Sequence, residues 1–145
     1  MQVRELMSAD VVTATADESL RTCVERMFRR DVGSVVIVRD GAHAGIVTES
    51  DALLAAYRTE RALGEIPARA AMSSPVEHVN PSTTVLTAAR KMRENGIKKL
   101  VVLEGLELRG VFTLSDVVEN VDQVREEAGE IARTRRRWKE SERFR

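Results

Sequence analysis

The sequence contains few of the residues that mark specialised protein classes. Its 145 residues include one cysteine, three prolines, three phenylalanines, one tyrosine and one tryptophan. A lone cysteine cannot form an intrachain disulfide, which excludes a small secreted domain held together by disulfides. Cys23 falls on the apolar stripe of a predicted helix, so we expect a small buried hydrophobic residue there rather than a nucleophile.

Net charge and long hydrophobic runs are also lacking. Twenty-three basic residues balance twenty-three acidic ones, so no global field favours nucleic acid or an anionic membrane. No apolar run approaches the roughly 18 residues that a membrane span needs, and the N-terminus has no signal-peptide pattern. With 43% hydrophobic and 32% charged residues, the composition predicts a globular protein, which we expect to be cytoplasmic.

Motifs for catalysis and metal binding are missing as well. The sequence has no Gly-x-x-x-x-Gly-Lys loop and no Gly-x-Gly-x-x-Gly fingerprint. Its two histidines, His43 and His78, fall on different predicted elements without further ligands at a suitable spacing, so we expect no metal site. Ser115 and Asp116 have no histidine placed to act as their base. The sequence therefore predicts binding chemistry, and we expect neither an enzyme nor an obligatory cofactor.

What the sequence does contain is an internal duplication. Residues 3–53 align with residues 68–118 at a constant offset of 65 without a gap, and 11 of the 51 aligned positions are identical. Such a fixed repeat indicates supersecondary modules that bury their apolar faces against each other. Because about 50 residues are marginal as an independent domain, we expect the two copies to share one core around an approximate two-fold axis.

Each copy predicts the element order β-α-β-β-α, which gives a mixed α+β fold. The hydrophobic period changes between the strand and helix values in the same order in both copies. Asp17 is the predicted cap of the first helix, Asp40-Gly41 is a hairpin turn, and Gly96 is a C-cap in the second copy. The predicted elements are a strand at 11–15, a helix to Arg30 with Leu20, Val24, Met27 and Phe28 on its apolar stripe, strands at 35–38 and 44–47 and a helix from Thr48, and then 76–80, 82–95, 100–103, 108–112 and a helix from Thr113.

The chain divides accordingly into four parts. We expect repeat 1 at residues 1–57, a connector at 58–67, repeat 2 at 68–122 and a charged helical tail at 123–145.

The segments GIVTESD (45–51) and GVFTLSD (110–116) stand at the same register of the two copies. Together with the strands GSVVIVRDG and KKLVVLEG, they resemble the CBS domain, and two in tandem look like a CBS pair, or Bateman module. The resemblance covers residues 3 to about 120. It implies a stand-alone regulatory protein that binds an adenine nucleotide (ATP, ADP or AMP) or another adenosyl ligand, such as S-adenosylmethionine, in the clefts between the repeats. It also implies a homodimer and a regulated protein that the sequence does not identify.

The resemblance implies particular ligand contacts. In the family the signature Asp accepts hydrogen bonds from ribose hydroxyls, the Thr faces the phosphates, and adenine lies against the first and second strands. Thr48 and Asp51 would serve one cleft, and Thr113 and Asp116 the other. The same letters also form a helix capping box, and both roles can hold together. The strand positions implied as ligand contacts are Val12, Thr13, Gly33, Ser34, Glu77, His78, Lys98 and Lys99.

The two clefts are not expected to be equivalent. Copy two has Lys98-Lys99 where copy one has Gly33-Ser34. These lysines are candidates for anion contacts, although at most one should face a given site because successive strand residues point to opposite faces. They are equally consistent with solvated cations after a helix C-terminus. Glu77 could repel phosphate near Asp116, so the Asp51 cleft ranks first for a polyphosphate.

The tail leaves other functions open. Val121, Val124, Ala128 and Ile131 have helical spacing, and a basic run interrupted by Trp138 follows at 133–139. This run could contact nucleic acid, an acidic partner or a second subunit, although the acidic residues on either side of it favour a solvated charged helix. The alternatives to ligand sensing are therefore a ligand-free dimerisation or interaction module and nucleic-acid binding through the tail.

Overall fold

The structure, a computed structural model, describes residues 1–73 and 77–138, with side chains as far as residue 132. Each repeat has the predicted order β-α-β-β-α, which confirms the expected fold class. Short 3-10 turns lie at Val3–Glu5, Leu63–Glu65 and Ala68–Ala70. The regular elements are β1 (Thr13–Thr15), α1 (Leu20–Arg30), β2 (Ser34–Arg39), β3 (Ala42–Thr48) and α2 (Glu49–Thr59) in repeat 1, then β4 (His78–Val79), α3 (Val85–Asn95), β5 (Lys99–Glu104), β6 (Glu107–Thr113) and α4 (Leu114–Glu119) in repeat 2, followed by α5 (Val121–Trp138).

The helix ends correct one prediction and confirm another. Ser19, not Asp17, caps α1, because its side-chain oxygen accepts the Thr22 N–H at 3.2 Å. Gly96 ends α3 in the left-handed conformation at φ 63°, as predicted.

Burial on α1 agrees with the sequence at one position and differs at another. Cys23 is buried as expected, and burial raises the pKa of its thiol. Phe28, by contrast, was placed on the apolar stripe and is 82% exposed.

Each repeat forms its own three-stranded sheet. The first strand pairs in parallel with the second, and the second pairs antiparallel with the third, in the orders β1-β2-β3 and β4-β5-β6. The register places Ser34 opposite Thr48 and, equivalently, Lys99 opposite Thr113. The start of each second strand therefore lies beside the residue that begins the following helix.

The segments that precede the first strands are exchanged between the repeats. Residues 2–8, the first lead-in segment, lie on repeat 2, where the Val3 N–H donates to the Thr83 carbonyl at 2.8 Å. Residues 67–73, the second lead-in segment, lie on repeat 1, where the Ser73 N–H donates to the Ile46 carbonyl at 2.9 Å. Sequence reasoning assigned each segment to its own copy, and the pairing across copies is visible only in three dimensions.

The buried apolar side chains form three clusters rather than one shared core. Repeat 1 has a cluster that includes Leu20 and Cys23, together with Ile66 from the connector. Repeat 2 has a cluster that includes Phe112 and also Val3 from the first lead-in segment. A third, smaller cluster joins the two sheets and consists of Val36, Val101, Leu103 and Val111. The two repeats are thus held together by this sheet interface and by the exchanged segments.

The helices that follow the third strand of each repeat differ in length. In repeat 1, α2 runs without interruption over eleven residues. In repeat 2, the corresponding stretch is broken at Asn120, and α5 then packs against α3 and α4, with Val124 lying against the buried cluster of repeat 2. The predicted helical tail is confirmed as far as Trp138, and residues 139–145 lie outside the described part of the chain. No helix within the described ranges is both long and apolar enough to cross a membrane.

Candidate ligand-binding clefts

Both signature motifs begin a helix with a capping box. The Thr113 side-chain oxygen accepts the Asp116 N–H at 3.2 Å, and the Asp116 carboxylate accepts the Thr113 N–H at 2.8 Å. Thr48 and Asp51 repeat both bonds with the same lengths. The duplicated spacing therefore has a local structural reason, because each box satisfies two backbone donors at a helix start.

The capping boxes leave acceptor capacity unused. In both boxes it is Oδ2 of the aspartate that receives the threonine N–H. Oδ1 of Asp51 and of Asp116 takes no part in these capping-box bonds. A carboxylate has about four lone-pair sites, so each aspartate can hold its helix start and still receive hydroxyl donors from a ligand.

A cavity of about 430 Å³ lies beside Asp116, between the two repeats. This volume falls within the range of sites for small organic ligands. Its walls come from the chain before β1, the start of β2, the start of α2, and the region from β5 to α4. The lining residues include Asp10, Val11, Val12, Asp31, Gly33, Ser34 and Glu49 from repeat 1 and Lys99, Thr113, Ser115, Asp116 and Glu119 from repeat 2.

The cleft is therefore built from both copies. The aspartate comes from repeat 2, whereas the backbone of the first strand region and the start of the second strand come from repeat 1. Sequence reasoning grouped Asp116 with Glu77, which belongs to the same copy. The structure corrects this placement, because Glu77 forms an ion pair with Lys91 at 3.5 Å and is not among the residues that line the cavity.

Lys99 and Asp116 are the partly buried charges of the cavity. Burial lowers the pKa of the Lys99 ammonium, and the carboxylates of Glu49, Asp116 and Asp51 act in the opposite direction. Burial raises the pKa of the Asp116 carboxyl, while its hydrogen bonds with Thr113 act to lower it. A ligand group that pairs with the Lys99 ammonium or with the Asp116 carboxylate would offset the cost of burying that charge.

Gly33 makes room for the lysine. A Cβ atom built at Gly33 would lie 2.7 Å from Lys99 Nζ and 2.7 Å from Glu49 Oε1. Real Cβ atoms essentially never come this close to other heavy atoms. The sequence difference between Gly33-Ser34 and Lys98-Lys99 therefore has a structural explanation. Gly33 of repeat 1 leaves the space that the Lys99 side chain of repeat 2 occupies.

The remaining candidate residues are dispersed. Lys98 is exposed just before β5, outside the strand, and it borders a separate open depression together with Lys99 and Thr113. The Thr13 carbonyl accepts from Arg26 at 2.8 Å, and the His78 carbonyl accepts from Lys91 at 2.7 Å, so both backbone positions already have side-chain partners. His78 borders a separate shallow pocket near α3.

Around Asp51, part of the surroundings lies outside the described residues. Asp10 and Val11 of the Asp116 cavity correspond, at the offset of 65, to residues 75 and 76, which are among the three residues 74–76 that the structure does not describe. The capping box at Thr48 is described in full. The basic run at 133–139 also falls outside the described side chains.

Sequence reasoning missed most of the acidic lining of the cavity. Glu49 and Glu119 begin and end helices that flank it, and Asp31 stands just after α1 in the left-handed conformation at φ 51°. Glu49 directly follows Thr48 in the signature motif, and this position could have identified it from the sequence. Sequence reasoning also did not predict that His43 and His78 lie close together across the two repeats, with ring centroids 6.3 Å apart.

Two known proteins are similar in sequence to most of this chain. A protein of Methanopyrus kandleri is 31% identical over 121 residues, which cover 82% of this chain and 62% of that one. A protein of Methanocaldococcus jannaschii is 27% identical over 140 residues, which cover 88% of this chain and 33% of that one. The chain thus spans only part of the length of these relatives, both of which are described as uncharacterized.

Solved structures give the same answer. The hexameric CBS-CP12 protein from bloom-forming cyanobacteria is 25% identical and has a TM-score of 0.79, with 94% of this chain and 84% of that chain covered. The sequence profile of the CBS domain matches residues 3–58 and 63–123, which together make up most of the chain. The chain belongs to the CBS-domain family, and it carries two CBS domains in tandem.

Proposed function

We propose that this chain is a regulatory ligand-binding protein that binds an adenine nucleotide or another adenosyl compound between its two CBS domains. The observation that carries the proposal is the cavity beside Asp116, whose carboxylate has an oxygen, Oδ1, that the capping box does not use. A carboxylate in this position can accept bonds from the two vicinal hydroxyls of a ribose. Backbone near Val11 and Val12 lines the same cavity and would lie against the base.

The composition of the cavity walls supports a regulatory role. Because residues of both repeats line the cavity, a bound ligand would bridge the two sheets. A ligand shifts a conformational equilibrium only by its difference in affinity for the two states. We infer that occupancy favours one arrangement of the repeats, which a regulated protein then recognises, and that the chain acts without catalysis.

A second groove supports self-association as part of this function. It lies between α1 and α2, has a volume of about 480 Å³ and is lined mainly by aliphatic side chains. Beside it Phe28, Leu53 and Tyr57 are 82%, 73% and 82% exposed. Exposed apolar patches of this kind mark protein interaction sites. The groove therefore favours a homodimer, and it is also the observation behind the rival hypothesis of a ligand-free interaction module.

Thermal unfolding with a panel of adenosine, AMP, ADP, ATP, S-adenosylmethionine and NADH tests ligand binding. A ligand at 100 times its dissociation constant adds about 2.7 kcal/mol to the free energy of unfolding. We expect at least one compound to give such a shift, and we expect the combined Asp51→Asn and Asp116→Asn variant to lose it. Asparagine keeps an oxygen that accepts the threonine N–H, so the capping boxes survive.

The control is Asp122→Asn, which changes an exposed carboxylate in the first turn of α5 and leaves both clefts intact. Ligand sensing is contradicted if no compound stabilises the protein or if the double variant responds as the wild type does. In that case the ligand-free interaction module becomes the better account.

A further inference from the structure

The two histidines of the chain lie side by side in the fold. His43 lies on β3 of repeat 1, and His78 lies on β4 of repeat 2. Their ring centroids are 6.3 Å apart, and the two ring planes meet at 60°. Since the sequence has two histidines in all, the fold brings every imidazole of the protein to one place between the repeats.

The path of the chain explains this meeting. Ser73, at the end of the second lead-in segment, pairs with Ile46 on β3, close to His43. The chain then enters β4 at His78, so the segment that packs on repeat 1 also brings His78 there. The pairing of β2 with β3 shifts beside His43, because Val38 lies opposite His43 while Ile37 lies opposite Gly45. Such a bulge changes the direction of the side chains next to it.

The equivalent positions of the other copy carry different chemistry. At the offset of 65, His43 corresponds to Leu108, and His78 corresponds to Thr13. Leu108 packs against the apolar cluster that joins the two sheets. A repeat of this fold therefore does not require imidazoles at these positions, and the histidine pair is a property of one side of the molecule.

The geometry of the pair is close to that of two ligands on one metal ion. With a Zn–N bond of about 2.0 Å and a ring centre roughly 1.1 Å behind the nitrogen, two imidazoles on a tetrahedral ion have centres about 5 Å apart. The observed separation of 6.3 Å is a little longer. Because His78 is exposed and His43 is half-buried, and because the terminal torsion of histidine is broad, a small rotation of the rings closes the difference.

We propose that His43 and His78 together bind one divalent transition-metal ion of the zinc class, which links the two repeats. Imidazole nitrogen suits zinc, nickel and copper and is a poor ligand for magnesium and calcium. No cluster of three or more histidine, cysteine, aspartate or glutamate side chains that could hold a metal occurs in the described part of the chain, so water completes the coordination. The site is separate from the cavity beside Asp116 and does not depend on ligand sensing.

A metal held by both repeats stabilises the folded chain, because the unfolded chain does not hold the two imidazoles together. Titration calorimetry with ZnCl₂ and MgCl₂ on the untagged full chain at pH 7.5 tests the site. We expect one Zn²⁺ per chain and no measurable binding of Mg²⁺. His43→Gln and His78→Gln should each weaken the binding of Zn²⁺ at least tenfold. Saturating Zn²⁺ should raise the urea midpoint of the wild type and leave that of either variant unchanged.

Glu94→Gln is the control, since it removes an exposed carboxylate on α3 and keeps both histidines. Its affinity for Zn²⁺ should equal that of the wild type, and urea midpoints without metal show that each variant is folded.

Three results would overturn the proposal. They are a wild type that does not bind Zn²⁺, binding that both histidine variants retain, and binding that depends on one histidine alone. Because no nucleotide is present in these titrations, each of these results would leave the ligand-sensing function standing.

Discussion

The two CBS repeats are built alike up to the signature and differ in the helix that follows it. In repeat 1, Ala55 continues α2, and in repeat 2 the equivalent Asn120 ends α4 after six residues. Asparagine has a lower helix propensity than alanine because its side chain competes for backbone groups. Here the Asn120 side chain donates to the Asp116 carbonyl at 2.8 Å. The helix thus ends at Asn120 in repeat 2, and α5 begins at the next residue.

The outer faces of these helices differ in chemistry. Phe28 and Tyr57 of repeat 1 correspond to Arg93 and Asp122 of repeat 2. The apolar side chains of repeat 1 are exposed beside an aliphatic groove. The comparison shows that both copies keep the capping-box geometry, whereas the exposed aromatic side chains of Phe28 and Tyr57 belong to repeat 1.

The largest effect is expected where the two repeats are most alike. A Cβ at Gly110 would lie 2.6 Å from the Ser8 carbonyl oxygen, and one at Gly45 would lie 2.8 Å from the Ser73 carbonyl oxygen. Backbone cannot move aside as a flexible side chain can, and overpacking costs about 1–3 kcal/mol. We expect Gly110→Ala and Gly45→Ala each to lower the free energy of unfolding in urea by this amount.

Gly64→Ala is the matched control for these variants. The nearest atom to its Cβ would be Arg21 Cδ at 3.9 Å, so its effect should stay within about 0.5 kcal/mol. A cost as small as this for Gly110→Ala would contradict the tight packing of the exchanged segment, and unequal costs would break the equivalence of the repeats.

The next prediction tests the difference between the outer helix faces. Leu53→Asp places a charge on the apolar surface of repeat 1, and Val118→Asp makes the same change at the equivalent position of repeat 2. We expect Leu53→Asp to weaken self-association at least tenfold, equal to about 1.4 kcal/mol, and Val118→Asp to change it less than threefold. Sedimentation equilibrium measures both constants. A monomeric wild type, or equal effects of the two variants, would remove the proposed role of the repeat 1 face.

The smallest effect concerns the pH dependence of stability at Asp116. Burial raises the pKa of this carboxyl in the folded state, so the folded protein holds a proton that the unfolded chain has released above its ordinary pKa of about 3.9. The contribution of Asp116 to the free energy of unfolding therefore decreases as the pH rises through this window and is least favourable above it.

Urea unfolding at several values between pH 4 and pH 7 measures this slope. The difference between the wild type and Asp116→Asn should decrease with increasing pH, because asparagine does not titrate. The exposed Asp122→Asn variant provides the reference for general charge effects. A difference that rises with pH would mean that hydrogen bonds with Thr113 outweigh burial.

The sequence predicted most of the fold because periodicity and turn residues are local signals. Helix α1 ends at Arg30 and Gly96 caps α3, as expected. Asp17 was the wrong cap because Asp17 and Ser19 are both good capping residues, and only the path of the chain selects between them. Phe28 was misplaced because an apolar residue at helical spacing can face a partner surface as well as a core.

The sequence could not show which parts of the two copies meet. Identical residues at Met7 and Met72, and at Gly45 and Gly110, predicted similar modules. In the structure Met7 lies against Gly110 and Met72 against Gly45, so each identity reflects a contact with the other copy. A repeat aligns equally well whether its segments pack within a copy or between copies, and long-range pairing carries no periodic signal.

By itself, the sequence determined the duplicated elements and the paired Thr-x-x-Asp capping boxes, since hydrophobic period, turns and caps depend on neighbours along the chain. Only the tertiary structure decided that Asp116 faces the β2 start of the other repeat, that Lys99 fills the space left by Gly33, and that Glu77 pairs with Lys91 instead. The physical reason is that a cleft between repeats is formed by residues far apart in sequence, and its charge is the sum of what the fold brings there.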